Sequence, residues 1–412
     1  MKTDLDRLMT ERTIDTMLVT GPAQHNPYMV YLTGGGHLTQ AELIKKRGEE
    51  PVLFHQPMER EEAARTGLVT RNMTDYPYLT FLKEAQGDHI QAKALRYRKM
   101  LVDMGVDSGS LVIYGSADAG ESFAVFSRLQ DLMPRVTLVG ESSDAMLLEA
   151  MATKDEHEIE RIRQMGKITT EVVGLVADFL TSQKTKNEVL VKADGSPLTI
   201  GDVKRKINLW LAERGAENPE GTIFALGHDA GVPHSTGNSK DYLRLGKTIV
   251  FDIFPCEAGG GYFYDFTRTW CLGYATDEVL AIYEDVYWVY QQMMSELELN
   301  RDCVSYQEKT CDLFEKRGHP TIRSNPKTDK GYVHSLGHGV GLHIHERPWF
   351  GRGASQGDII EPGVVFTIEP GLYYPEDGMG CRLENTVWAQ PNGKMEVLAE
   401  FPLDLVYPMN KK

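Results

Sequence analysis

An α+β protein of two domains is predicted by three features of the chain. Strand-like and helix-like segments alternate through residues 1–150, a long amphipathic helix begins just after Ala152-Thr153-Lys154, and the remainder mixes a few helices with strands punctuated by Gly and Pro. The boundaries that follow are 1–152 for an N-terminal α/β domain and 153–412 for the second domain.

In the first domain Ile14 to Val19, Val52 to His55 and Leu111 to Tyr114 read as short strands, while Met58 to Arg65, His89 to Met104 and Ser122 to Leu132 carry helical spacing. Gly34-Gly35-Gly36 lacks the strand-to-helix setting of a dinucleotide site and reads as a loop. No chemistry is assigned to this half. The second domain opens on a helix over Asp155 to Phe179, whose apolar residues Ile159, Ile162, Met165, Ile168, Val172 and Leu175 recur near the helical period. Thr153, with Glu156 three positions later, fits a capping box at its start. Further helices are expected at Ile200 to Arg214, Glu278 to Leu297 and Tyr306 to Arg317.

The totals exclude several classes of function. A net charge of −15 over 412 residues repels phosphate backbones, and no long Lys/Arg run makes a local exception, so nucleic acid is not an expected partner. No apolar stretch approaches the ~20 residues of a spanning helix, and Met1 to Glu11 is charged rather than signal-like; a cytoplasmic location with no membrane partner is expected. Cys256, Cys271, Cys303, Cys311 and Cys381 form no C-x-x-C pair and sit in no nucleophile motif, which fits reduced thiols packed as small hydrophobes.

The chemical signal is a set of acids inside apolar strands. Asp252 interrupts Lys247-Thr-Ile-Val-Phe-Asp-Ile-Phe-Pro255, and Asp265 interrupts Tyr262-Phe-Tyr-Asp-Phe-Thr-Arg-Thr-Trp270, on a face shared with Phe263 and Thr267. Turn chemistry between the segments predicts a hairpin that brings the two acids together. Glu369 in Val364-Val-Phe-Thr-Ile-Glu-Pro370 and Glu384 in Cys381-Arg-Leu-Glu-Asn-Thr-Val387 repeat the anomaly. Each acid alone reads most simply as a structural ion pair. Together with His334-Ser-Leu-Gly-His-Gly-Val-Gly-Leu-His-Ile-His-Glu346, the four suit a pair of divalent cations, Mn²⁺, Co²⁺ or Zn²⁺, about 3.5–4 Å apart.

In the order Asp252, Asp265, His338, Glu369, Glu384, and in the settings V-F-D, Y-D-F-T-R-T, G-H-G-V-G-L, T-I-E-P-G and R-L-E-N, the chain resembles the pita-bread metallopeptidases. The resemblance covers residues 150–410 by motif. The earlier α/β segment looks like the N-terminal domain of the creatinase, prolidase and aminopeptidase P branch, which methionine aminopeptidases lack. The resemblance implies Asp252 as ligand of one metal, Asp265 and Glu384 as bridging carboxylates, and His338 and Glu369 as ligands of the other, Glu369 also shuttling protons. A metal-activated water then replaces a Ser or Cys nucleophile.

Three further histidines match positions near the substrate. His234 and His345 would stabilise the tetrahedral intermediate, and His334 would approach the prolyl carboxylate or the following backbone. Arg382, on one strand face with Glu384, would orient that carboxylate, neutralise the cluster or touch substrate. His228 and His343, each near apolar residues, read as packed and hydrogen-bonded and stay outside the site.

Asp252 and Asp265 are 13 positions apart, two more than in most members of the family, which an enlarged turn absorbs. The implied reaction is release of an N-terminal residue from an Xaa-Pro substrate, as an aminopeptidase on peptides or a prolidase on dipeptides. The His segment favours the aminopeptidase. A metal-dependent lyase or amide hydrolase acting on a small non-peptide, and a non-catalytic binding module, are the alternatives of other classes. A homodimer is implied, with the N-terminal domain serving assembly or closure of the site.

Overall fold

The computed structural model describes residues 4–142, 145–351 and 358–409. Its contacts divide the chain into two units. One runs up to Met151 and takes in Gly259–Gly261; the other holds Ala152–Ala258 and the chain from Tyr262 onward.

The first unit is built on a six-stranded mixed sheet in the order Val69–Asn72, Val52–His55, Ala41–Lys46, Thr16–Gly21, Gly109–Gly115, Val136–Val139. Thr16–Gly21 pairs antiparallel with Ala41–Lys46 and parallel with Gly109–Gly115, so it lies at the centre. A central strand covered on both faces needs no polar alternation, which accounts for the unbroken run Met17-Leu18-Val19. Parallel pairing requires a crossover, and Ala119–Leu132 supplies one between Gly109–Gly115 and Val136–Val139. That helix starts at Ala119 rather than Ser122 because the Asp118 carboxylate accepts from Glu121 N. The helix expected from Met58 divides into a 3₁₀ turn, Pro57–Glu59, and Arg60–Arg65. Leu18, Phe54, Ala94, Leu101 and Leu129 join sheet and helices in one core.

Among the described polar residues buried in this unit, which include Asn26, Lys45 and His55, Glu42 is the acid left with an unpartnered oxygen inside the sheet. Glu42 is 5% exposed, its Oε1 accepts from the Tyr97 hydroxyl at 2.8 Å, and burial pushes its carboxyl from 4.5 up to about 7. The unfolded chain releases that proton at the lower value and the folded chain at the higher. The stability it contributes is therefore whole below pH 4.5 and declines by roughly 3 kcal/mol as pH rises through about 7. Glu42→Gln, which has no proton to release, is expected to gain Tm over the parent increasingly between pH 5 and pH 8. A pH-independent difference in melting temperature would contradict this.

The second unit opens on the helix Glu156–Thr181. Its capping box is Asp155 with Glu158, not Thr153 with Glu156, because Thr153 is still extended and bridges to Val364. A Cβ on Gly166 would lie 2.7 Å from the Tyr264 ring and 2.8 Å from Ala399, so the glycine permits this helix to approach so closely. The helices Ile200–Ala212, Asp277–Glu296 and Cys303–Lys316 follow.

Three of this unit's sheets frame the cavity that holds the acids. A four-stranded sheet runs in the order Thr222–Leu226, Thr248–Ile253, Phe266–Leu272, Val406–Tyr407. A five-stranded sheet runs Glu346–Trp349, His338–Gly339, Val365–Ile368, Asn385–Ala389, Met395–Val397. The third is the hairpin Gly371–Tyr374 with Met379–Arg382. Three of the four acids stand where these ladders end, and Asp252 stands inside its own, paired with Ile223 and Thr267. Asp265 precedes its strand and Glu369 follows its own, rather than lying within them. The segment Cys381–Val387 is not one strand, because Met379–Arg382 pairs with Gly371–Tyr374 and Asn385–Ala389 pairs with Val365–Ile368. At the break Glu384 N donates to Thr267 O at 3.1 Å, tying the chain to the four-stranded sheet.

Threonine hydroxyls and one arginine fix this junction. Thr269 Oγ1 donates to Arg382 O and accepts from Arg382 N, both at 2.9 Å, and Thr386 Oγ1 donates to Asp265 O at 2.7 Å. Arg268, 1% exposed, makes five hydrogen bonds, to the carbonyls of Thr267, Glu384, Phe401 and Pro402 and to Asn385 Oδ1. With no carboxylate among these partners, burial lowers its pKa to about 10. The Arg of the T-R-T motif is thus a structural clasp. All five cysteines are buried and free, and burial pushes the Cys256, Cys271 and Cys381 thiols up to about 12, unlike a nucleophile. Among the described residues no helix is long and apolar enough to cross a membrane.

Candidate metal centre

The two larger sheets and the break between strands at Glu384 bring their acids to one cavity of about 350 Å³, and the hairpin brings Arg382. The hairpin register sets Asp252 opposite Thr267 and Ile253 opposite Phe266, leaving Asp265 one step beyond the ladder. The extra length of this hairpin lies in the turn and not in a bulge, since the register is unbroken. Asp252, Asp265, His338, Glu369 and Glu384 all line the cavity, as do His234, His334, His345 and Arg382. His228 and His343 do not. Lining residues that the sequence argument did not name include Glu220, Ile223, Phe254, Ile344 and Trp349.

His338 is held so that one nitrogen faces the acids. Its Nδ1 lies 3.0 Å from Gly339 O, which assigns the proton to Nδ1 and leaves Nε2 with a lone pair, 3.5 Å from Asp265 Oδ2 and 3.4 Å from Glu369 Oε1. Burial, then the neighbouring His345, lowers its pKa to about 3, so the ring is neutral, the ligating form. The glycines around it are required by close packing. A Cβ on Gly339 would meet Arg347 O at 2.0 Å, and one on Gly341 would meet Glu346 Oε1 at 2.3 Å.

The carboxylates crowd one another. One donor atom each of Asp265, His338 and Glu384 lies within 4.8 Å of the other two. Burial raises Asp265 and Glu369 well above the carboxylate range, and repulsion from Glu384 adds to both. Glu384 rises to about 8 through burial and then the charge of Asp252. Glu384 Oε2 accepts from Thr267 Oγ1 at 2.7 Å and Asp252 Oδ2 from Arg382 Nη2 at 2.6 Å. The remaining oxygens, Asp252 Oδ1 and Glu384 Oε1, are buried with no hydrogen-bond partner among the described residues. Mutually repelling acids, two unpartnered oxygens and one neutral imidazole fit divalent cations, which reverse the sign of the local field.

Arg382 pairs with Asp252, not with Glu384, because the chain changes sheet between Arg382 and Glu384. Its Nη1 also donates to the Tyr373 hydroxyl at 2.6 Å. That hydroxyl lies 2.8 Å from His334 Nε2, while His334 Nδ1 lies 2.7 Å from Ser335 O. Both nitrogens of His334 are therefore engaged. Burial, then Arg382, lowers the His334 pKa to about 3. His345 packs edge-on against His338 with centroids 4.4 Å apart, and burial lowers its pKa also.

Two supports escaped the sequence argument. Tyr373 reads as one aromatic in an apolar hairpin. Gln307, 2% exposed on the helix Cys303–Lys316, reads as one polar residue in an amphipathic pattern. Its Oε1 accepts from Leu336 N at 2.6 Å and from the Tyr332 hydroxyl at 2.8 Å, and its Nε2 donates to His334 O at 3.2 Å. It thus clamps the backbone that leads to His338. Gln307→Leu is expected to destabilise the protein by roughly 2 kcal/mol, because buried backbone groups lose their partners. Denaturant unfolding measures this, and an unchanged midpoint would contradict it.

The fold brings acids from separate strands and one imidazole together in one cavity, a donor set of the kind that holds divalent cations. The family model for metallopeptidase family M24 matches residues 160–391, and the chain belongs to that family. It is a metallopeptidase, and its family implies divalent metal ions. The chain is 28% identical to an Xaa-Pro dipeptidase of Pyrococcus furiosus over 399 residues, 95% of this chain and 97% of that protein. Among solved structures, the X-Pro aminopeptidase of Thermotoga maritima superposes with a TM-score of 0.74 at 21% identity, covering 97% of this chain and 99% of that one. The prolidase of Pyrococcus furiosus superposes with a TM-score of 0.71 at 22% identity, covering 96% and 99%. These likenesses establish the pita-bread fold with its preceding α/β segment.

Proposed function

We propose that the protein hydrolyses the peptide bond between an N-terminal residue and a following proline, using two divalent ions for which Mn²⁺ is the first choice and Co²⁺ or Zn²⁺ the alternatives. The convergence of Asp252, Asp265, His338, Glu369 and Glu384 on one cavity carries this reading. Asp252 would hold one ion, His338 and Glu369 the other, and Asp265 and Glu384 both. When bound, such ions polarise the scissile carbonyl and make water nucleophilic near neutral pH.

The chain's own residues supply the rest. Glu369 would take the proton that the attacking water gives up and return it to the prolyl nitrogen as the C–N bond breaks, leaving a carboxylate on the released residue and a free prolyl amine. His234 and His345, at the cavity wall, donate to the oxygen that becomes negative. Arg382, donating to Asp252 Oδ2, holds that carboxylate in its orientation. His334, with Tyr373, receives the prolyl carboxylate or the next peptide group.

The name Xaa-Pro dipeptidase, borne by relatives that align over 95% and 93% of this chain, supports the dipeptide as substrate. The segment His-Gly-Val-Gly-Leu-x-Ile-His-Glu supports the aminopeptidase form. Metal-stripped protein reloaded with each ion and assayed on Xaa-Pro, Xaa-Pro-Yaa and longer peptides tests both. Cleavage of the dipeptide alone selects the dipeptidase, and cleavage of longer peptides the aminopeptidase. Metal-dependent activity on a small amide with no Xaa-Pro cleavage would overturn the reading. Assembly as a homodimer, with the N-terminal unit in the interface or closing the site, belongs to the same proposal; sedimentation as a monomer would remove it. A cytoplasmic location is proposed with it.

A further inference from the structure

The first unit contains a second cavity, of about 150 Å³, far above the ~10–15 Å³ that admits one water. It lies beside Glu42, within the sheet-and-helix layer of that unit, and none of its lining residues belongs to the metal centre.

The wall toward the sheet is polar and built. Glu42 lines the cavity, is 5% exposed, and has Oε1 satisfied by the Tyr97 hydroxyl, which also lies 3.0 Å from Thr20 Oγ1. Its other oxygen, Oε2, is buried with no hydrogen-bond partner among the described residues. A carboxyl left half-satisfied inside a domain is costly unless a partner completes it, and a ligand ammonium would do so as a charge-assisted donor that draws the group into its ionised form.

The helix His89–Asp103 supplies the complement. Lys93, Arg96, Tyr97 and Met100 fall at helical spacing and all line the cavity. Lys93 is paired with Glu121, whereas Arg96 has no ion pair among the described residues; its Nη2 donates to Met73 Sδ at 2.9 Å. Arg96 therefore keeps guanidinium donors for an anionic group. Met100, Val125 and Phe126 provide an apolar side. A carboxyl with one oxygen unpartnered, an arginine in no ion pair among the described residues and an apolar wall, all around one small space, match the three parts of an α-amino acid.

We propose that this cavity binds a small zwitterion, a free α-amino acid with an aliphatic side chain, with its ammonium on Glu42 and its carboxylate on Arg96. The inference is independent of which peptide bond the metal centre cuts.

Isothermal titration of the full-length, metal-loaded protein with L-leucine, 4-methylpentanoate and 3-methylbutylamine tests it. The two analogues keep the side chain and lack the ammonium and the carboxylate respectively. Leucine is expected to bind at least about tenfold more tightly than either analogue, the worth of one charge-assisted contact. Glu42→Gln and Arg96→Gln are each expected to weaken leucine at least about tenfold while peptide hydrolysis stays at the parental rate, which shows that both variants fold. Arg96→Gln leaves the buried wall intact and tests the carboxylate contact separately from the ammonium contact. Absence of leucine binding to the parent, or binding that both variants leave unchanged, overturns the proposal.

Discussion

Glu384→Gln is expected to lower kcat/KM about 10³-fold, or ~4 kcal/mol of transition-state stabilisation, while making the metal-free protein more stable. The two effects come from one property. Burial and the charge of Asp252 raise the Glu384 carboxyl to about 8, so at neutral pH the folded chain must hold a proton there that the unfolded chain releases. The stability this group contributes is whole below pH 4.5 and is lost as pH rises through about 8, so an uncharged Gln removes the penalty. The gain expected near pH 7 is on the order of 2 kcal/mol, and roughly 2–4 °C in Tm accompanies each kcal/mol in a domain of this size. The sign reverses with metal, which stabilises the parent by binding the folded state alone and stabilises the variant less. Melting curves with and without Mn²⁺, beside an activity assay, check both parts. A variant that loses stability without metal would mean that Glu384 is an ordinary ion-pair partner, and one that keeps full activity would remove it from the site.

Arg382→Gln is expected to destabilise the metal-free protein by about 3–5 kcal/mol, the scale for stranding one partner of a buried ion pair. Asp252 Oδ2 loses its donor at 2.6 Å, and the Tyr373 hydroxyl loses another. Activity with metal should fall about 10- to 100-fold, as when a group that orients a ligand is removed. The double variant Asp252→Asn, Arg382→Gln should be more stable than Arg382→Gln alone, because no stranded charge remains. Additive losses in this cycle would show that the two side chains do not act on one another.

How much was legible beforehand differs from residue to residue. Asp252 stood out because it interrupts Val250, Phe251 and Ile253, which are almost fully buried, and a charge in that company needs a partner in any fold. His338 stood out through its glycines, whose packing contacts leave no room for a Cβ. Arg268 and Arg382 illustrate the opposite case. Both are buried arginines in strand-like segments, yet one clasps carbonyl oxygens and the other neutralises an acid. Their sequence neighbours give no reason to tell them apart. Glu42 was invisible for a similar reason, since an acid next to Ala41 in a strand of mixed polarity reads as a surface residue.

The amino-acid sequence by itself determined which residue types are anomalous and in what order they occur, because placing a carboxylate among apolar neighbours is unfavourable whatever the chain does elsewhere. Only the tertiary structure decided the pairings. Arg382 meets Asp252 rather than Glu384 because the chain leaves one sheet at Arg382 and joins another at Asn385, and ladder pairing between distant strands is a long-range choice that no local pattern encodes.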